Sequence, residues 1–123
     1  MTDRLRSQAG HWRWVTGLDD AQLANRIRDD EIDILIELSG HTAGNRLGAL
    51  AYRPALVQVS WCGYPNTTGL TALDYRIVDA VTDPPGAQAW ASKTLVRLPG
   101  GFLCYRPPDN TPVQTPPPAQ DKG

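Results

Sequence analysis

Apolar and polar positions alternate along this chain in blocks, and the blocks predict elements. Residues from about Arg4 to Val15 place Leu5, Trp12 and Val15 at loose helical spacing and predict a weak helix. A better specified helix follows. Asp19 is a good N-cap, Gln22 three residues later completes a capping box, and Leu18 and Leu23 occupy the two positions of a hydrophobic staple. Leu23 and Ile27 then share one face, and the helix is expected to fade near Asp29-Asp30. Ile32 to Leu38 comes next, β-branched and almost continuously apolar, as a strand covered on both faces must be.

The same order repeats. Arg46 to Tyr52 predicts a short helix with Asn45 as its cap, and Pro54 prevents its extension. Leu56 to Trp61 reads as a second strand. Seventeen residues separate Leu38 from Leu56, enough for a helical crossover between parallel neighbours. A short helix over Leu70–Asp74, a strand over Tyr75–Ala80, a turn at Asp83-Pro84-Pro85-Gly86, a helix over Gln88–Ser92 and a strand over Thr94–Leu98 complete the pattern. Helix and strand in alternation define an α/β fold with a Rossmann-like parallel sheet.

Composition changes the picture at one place. From Arg106 the chain reads RPPDNTPVQTPPPAQDKG, with almost nothing to fill a core. The expected organisation is therefore one α/β unit over residues 1–105 and a Pro-rich linker or disordered tail over 106–123. With 12 Lys and Arg against 13 Asp and Glu, the charge offers no basic face for nucleic acid. No segment approaches the ~20 apolar residues of a membrane span. The polar start carries no signal peptide, so a cytoplasmic location without membrane partners is expected. Cys62 and Cys104 do not have metal-ligand spacing, and both are read as reduced thiols.

Each of the first two strands empties into a glycine-rich polar loop, Ser39–Arg46 (SGHTAGNR) and Cys62–Gly69 (CGYPNTTG). Parallel strands would bring both loops to one edge of the sheet, where open α/β sheets bind ligands. Neither loop carries GxGxxG or GxxxxGK[ST], so neither a dinucleotide site nor a P-loop is indicated. Gly40, Gly44, Gly63 and Gly69 allow close approach to main-chain amides. Thr42, Thr67 and Thr68 add hydroxyls, a combination that suits a sugar or phosphate as well as plain tight turns. His41 can hydrogen-bond an acceptor, shuttle a proton or simply satisfy its own loop. Asp33 and Glu37 lie about 13 Å apart if both sit in a strand. That exceeds the roughly 5–9 Å of a paired-carboxylate site, so both are assigned to structure.

The stretch DILIELSGHTAGNRLGALAYRPALVQVSWCGYPNTTGLTALDYRIVDA resembles the catalytic region of the O-GlcNAc transferase family, which includes Spindly-type relatives. GHTAGNRL, RPALVQVSW, GYPNTTG and LDYRIVDA stand in the family's order and spacing, and LVRLPGGFLCYRPP resembles its continuation. Together the motifs cover about residues 4–108.

The resemblance implies part of the N-terminal lobe of a GT-B glycosyltransferase, two Rossmann-like lobes facing across a cleft. It implies transfer of N-acetylglucosamine from UDP-GlcNAc to Ser or Thr of proteins, or use of GDP-fucose as in Spindly-type members, with no cofactor and no metal. The groups discussed as catalytic lie outside the matching residues, so no catalytic residue is assigned. The partners implied are the nucleotide-sugar donor, protein acceptors and a C-terminal catalytic lobe, and without that lobe the chain is expected to be inactive. By the resemblance, Gly63, Tyr64 and Pro65 line the sugar and acceptor side of the cleft, with His41 and Thr42 nearby. Asn66 stands where the family usually has glycine and Cys62 where it often has leucine. A non-catalytic sugar-binding or interaction module is the alternative.

Overall fold

A computed structural model describes residues 2–105. The elements are α1 (Thr2–Gln8), α2 (Asp20–Asp29), β1 (Ile34–Glu37), α3 (Leu47–Ala51), β2 (Val57–Ser60), β3 (Tyr75–Asp79), a 3-10 turn (Ala87–Trp90) and β4 (Thr94–Leu98). The four strands form one sheet in the order β1-β2-β3-β4, and every neighbouring pair is parallel. All four strands therefore end at the same edge.

The capping box of α2 forms as the sequence predicts. Gln22 N–H donates to Asp19 Oδ1 at 2.8 Å, and Asp19 N–H donates to Gln22 Oε1 at 3.0 Å. Asn45 caps α3 from just outside it, accepting from Leu47 N–H at 3.2 Å. Leu23 and Ala24 of α2 and Ala49 and Leu50 of α3 are buried. Gln58, fully buried on β2, donates to the Leu50 carbonyl at 3.0 Å and ties α3 to the sheet. The core lies between these helices and the sheet face that carries Leu35, Gln58, Val78 and Leu95.

Three expectations are corrected. The N-terminal helix stops at Gln8 instead of reaching Val15, because Gly10 interrupts it. Trp12, Trp14 and His11 thus lie in irregular chain. Trp12 is half-buried, and the two indoles meet edge to face at 6.1 Å. Leu70–Asp74 forms one turn, not a helix, closed by Leu73 N–H on the Leu70 carbonyl. The Ala72 carbonyl inside it accepts from Gln58 Nε2 and Arg53 Nη1. Finally, β1 is not covered on both faces. Ile34, Ile36 and Leu38 are 60%, 46% and 57% exposed. Helices α2 and α3 pack on the other face of the sheet, so the apolar pattern of β1 is satisfied here on one side only. The expected tail, 106–123, lies outside the described residues.

Candidate functional site

The two glycine-rich loops meet. Gly40 sits so close beneath Tyr64 that a Cβ there would fall under 3.0 Å from the Tyr64 side chain. Gly63 sits equally close over the Leu38 carbonyl and the Ser39 backbone. Both take positive φ, +54° and +41°, which a residue with a side chain adopts at a cost. The glycines are therefore required for the loops to touch.

A row of side chains, one per strand, supports this contact. Register pairs Glu37 with Ser60, and Ser60 with Arg76, on the face that carries the core. All three are buried. The Glu37 carboxylate accepts from Gly40 N–H at 2.7 Å and Ser39 N–H at 3.2 Å, with Ser60 Oγ at 3.4 Å. Arg76 Nη2 donates to the Pro65 carbonyl at 2.7 Å, and Nη1 pairs with Asp83 at 3.1 Å. Glu37 holds the first loop and Arg76 the second.

His41 spans the gap between them. Its Nε2 lies 2.9 Å from the Thr68 carbonyl, and its ring meets Tyr64 edge to face at 5.3 Å. A carbonyl only accepts, so Nε2 carries the proton. In the neutral ring Nδ1 is then a free acceptor. A groove of about 390 Å³ opens beside it, walled by His41, Leu47, Gly48, Thr68, Gly69 and Leu70. A groove of about 450 Å³, walled by Arg28, Asp33, Arg53 and Leu56 among others, lies at the opposite end of the sheet, where β1 and β2 begin.

Of the residues named from sequence, Gly63, Tyr64 and His41 come together at the rim. Pro65 is exposed there and offers its carbonyl to Arg76. Thr42 is also exposed, but its hydroxyl turns back to the Ser39 carbonyl at 2.8 Å and closes its own loop. Asn66, where the family usually has glycine, does not take positive φ. Cys62 does take it, at φ +57°, directly before Gly63. Burial pushes the Cys62 thiol up, and both cysteines are free.

Sequence reasoning missed Arg76 and Lys93. Lys93 is 3% exposed, and its Nζ donates to Thr68 Oγ1 at 2.7 Å and Thr67 Oγ1 at 3.3 Å. Burial pushes its ammonium below the usual lysine range; Arg76 acts in the same direction, and Glu37 opposes. The available signal was a charge inside or beside an otherwise apolar strand, as in YRIVD and SKTLVRL.

A parallel α/β sheet whose strand-end loops meet at one rim has the architecture of an open α/β domain, which binds ligands at that edge. The family is shown by sequence as well: residues 10–105 match the model of Glycosyl transferase family 41, and the chain belongs to that family. A tomato (Solanum lycopersicum) protein described as "Probable UDP-N-acetylglucosamine--peptide N-acetylglucosaminyltransferase SPINDLY" is 52% identical over 122 residues, which cover 98% of this chain and 13% of that protein. A UDP-N-acetylglucosamine--peptide N-acetylglucosaminyltransferase of Caenorhabditis elegans is 49% identical over 84 residues, 68% of this chain and 7% of that one. Among solved structures, the K341M mutant of Thermobaculum terrenum O-GlcNAc transferase superposes with a TM-score of 0.87 at 45% identity, over 94% of this chain and 22% of that one. The chain thus spans about one-eighth of the length of the tomato relative, and its fold is that of part of a GT-B glycosyltransferase.

Proposed function

We propose that this chain forms one wall of the cleft of a protein O-linked N-acetylglucosaminyltransferase, on the sugar and acceptor side. The reaction is transfer of GlcNAc from UDP-GlcNAc to a Ser or Thr hydroxyl. The acceptor oxygen bonds to the anomeric carbon and gives up its proton to solvent, the bond from that carbon to the UDP oxygen breaks to release UDP, and the configuration inverts. The observation that carries this reading is the interlock of the two loops at one rim, with His41 spanning them and a groove alongside.

In this reading Gly63 lets the sugar approach the backbone, Tyr64 and Pro65 shape the wall, and His41 Nδ1 accepts a hydrogen bond from the acceptor hydroxyl. Thr42 acts through its loop, by holding Ser39 and so the seat of Gly40. The described residues at the rim offer no arginine or lysine free to stabilise the donor's phosphates, since Arg76 and Lys93 are committed to Pro65, Asp83 and the two threonines. That charge must come from another part of the polypeptide, so the isolated chain is expected to show no turnover.

The test is a chimera in which residues 10–105 replace the corresponding segment of Thermobaculum terrenum O-GlcNAc transferase. Transfer from radiolabelled UDP-GlcNAc to an acceptor peptide is expected. A folded chimera that binds UDP-GlcNAc and transfers nothing overturns the reading. Preference for GDP-fucose in the same assay replaces the donor and keeps the site.

A further inference from the structure

Lys93 is the buried charge that the cleft reading leaves without a task. It stands at the entrance to β4, 3% exposed, and among the described residues no carboxylate lies within ion-pair distance of its Nζ. A buried ammonium without a counter-ion is costly, and such a group is retained where its hydrogen bonds do something specific.

Its backbone is held by one side chain, which also holds the start of β4. Gln88 Nε2 donates to the Lys93 carbonyl at 2.7 Å, while Gln88 Oε1 accepts from Leu95 N–H at 2.8 Å. The side chain, so anchored, reaches the second loop and grips both threonine hydroxyls. Those hydroxyls also accept from the loop's own backbone, Thr67 Oγ1 from Gly69 N–H and Thr68 Oγ1 from Leu70 N–H, each at 3.3 Å. Thr67 Oγ1 further meets Ser92 Oγ at 3.0 Å. Two tight turns are thereby closed around one cation, and the residue whose hydroxyl Lys93 holds at 2.7 Å is the one whose carbonyl holds His41.

We propose that Lys93 is a positioning residue for His41. By fixing Thr67-Thr68 it presents the Thr68 carbonyl to Nε2, locks the imidazole in the Nε2-protonated form and leaves Nδ1 as the acceptor. Its value to transfer rests on the glycosyltransferase reading, but the locking of the ring does not.

The experiment is therefore spectroscopic. Long-range proton–nitrogen correlation on the nitrogen-15-labelled chain, at alkaline pH where an imidazole is neutral, reports which ring nitrogen carries the proton. The native chain is expected to show His41 almost wholly Nε2-protonated, more so than the same ring in concentrated urea. Lys93→Met is expected to raise the minor tautomer several-fold, to the value in urea. Thr68→Val should do the same, and Thr68→Ser, which keeps the hydroxyl, should behave as the native chain. A folded Lys93→Met chain with His41 as locked as before overturns the proposal. If Lys93→Met does not fold, Thr68→Val decides in its place: an unchanged ring overturns, a released ring supports. Neither result depends on sugar transfer, so an inactive chimera with a locked ring defeats only the transferase reading.

Discussion

The α-carbon of Gly63 lies against the Leu38 carbonyl with no room for a side chain between them. The loop after β2 is thereby seated on the end of β1, and the rim depends on a hydrogen atom at that position. Gly63→Ala adds a clash with backbone, which cannot move aside as a side chain would, to the cost of positive φ. The expected loss is about 2–4 kcal/mol, from roughly 1–2 for the left-handed backbone and the remainder from overpacking. Gly69→Ala is the control, because Gly69 also has positive φ (+71°) but open space around it. It should cost about 1 kcal/mol. Urea unfolding of both variants measures the difference, and equal losses would show that the loop contact is not tight.

Arg76 and Asp83 are the most buried ion pair among the described residues, their side chains 10% and 15% exposed. Arg76→Met removes the cation, leaves the Asp83 carboxylate partly buried and frees the Pro65 carbonyl. A loss of about 3–5 kcal/mol is expected, as for breaking one side of a buried pair. Arg76→Lys should recover only part of it, because an ammonium does not reproduce the fork that reaches both partners. Thermal unfolding of the two variants checks the order.

Asp74 gives the fold an acid-sensitive element at the opposite end of the sheet. Its carboxylate accepts from Gln58 N–H at 2.9 Å and from Arg53 Nη2 at 2.9 Å. The backbone hydrogen bond and the guanidinium hold it below the ordinary carboxylate value of 3.8, against the opposing effect of burial. A carboxyl depressed in the fold contributes stability at pH above its unfolded value and loses it as pH falls through the folded one. Asp74→Asn should therefore cost about 1–3 kcal/mol at neutral pH, and the gap to the parent chain should narrow steadily below about pH 4. Unfolding curves at pH 7 and pH 3 test the sign. A gap that widens in acid would refute it.

The bare side of β1 predicts self-association. Ile34, Ile36 and Leu38 form an exposed apolar row, and at the far edge of the same face Val96 and Leu98 are 40% and 37% exposed. Surfaces of this kind drive association. Ile34→Lys with Ile36→Glu should shift the chain toward monomer in analytical ultracentrifugation and lower its binding of an apolar dye. The secondary structure should stay unchanged, since neither side chain belongs to the buried core.

The order of elements was legible in the sequence because each rests on local signals: the Asp19–Gln22 box, the β-branched runs, and the prolines and glycines that end them. Boundaries were less so. Apolarity outlasts pairing at both ends of β1, where Ile32 N–H closes the end of α2 on the Ile27 carbonyl and Leu38 lies beneath Gly63. The meeting of the two loops was legible once parallel strands were assumed. The floor beneath them was not. Glu37 was read as structural but its grip on Gly40 was not foreseen, and Lys93 reaches Thr68 across 25 positions. Contacts of that range leave no periodic trace, and a charge in an apolar run carries no mark of whether it faces water or a buried amide.

The spatial sequence of the strands, β1-β2-β3-β4, is also their order along the polypeptide. Among the described residues, β2, β3 and β4 can each dock on a strand already released. The scaffold can therefore be laid down in one direction as the ribosome extrudes it, with the first loop in place to receive the second as soon as Gly63 emerges.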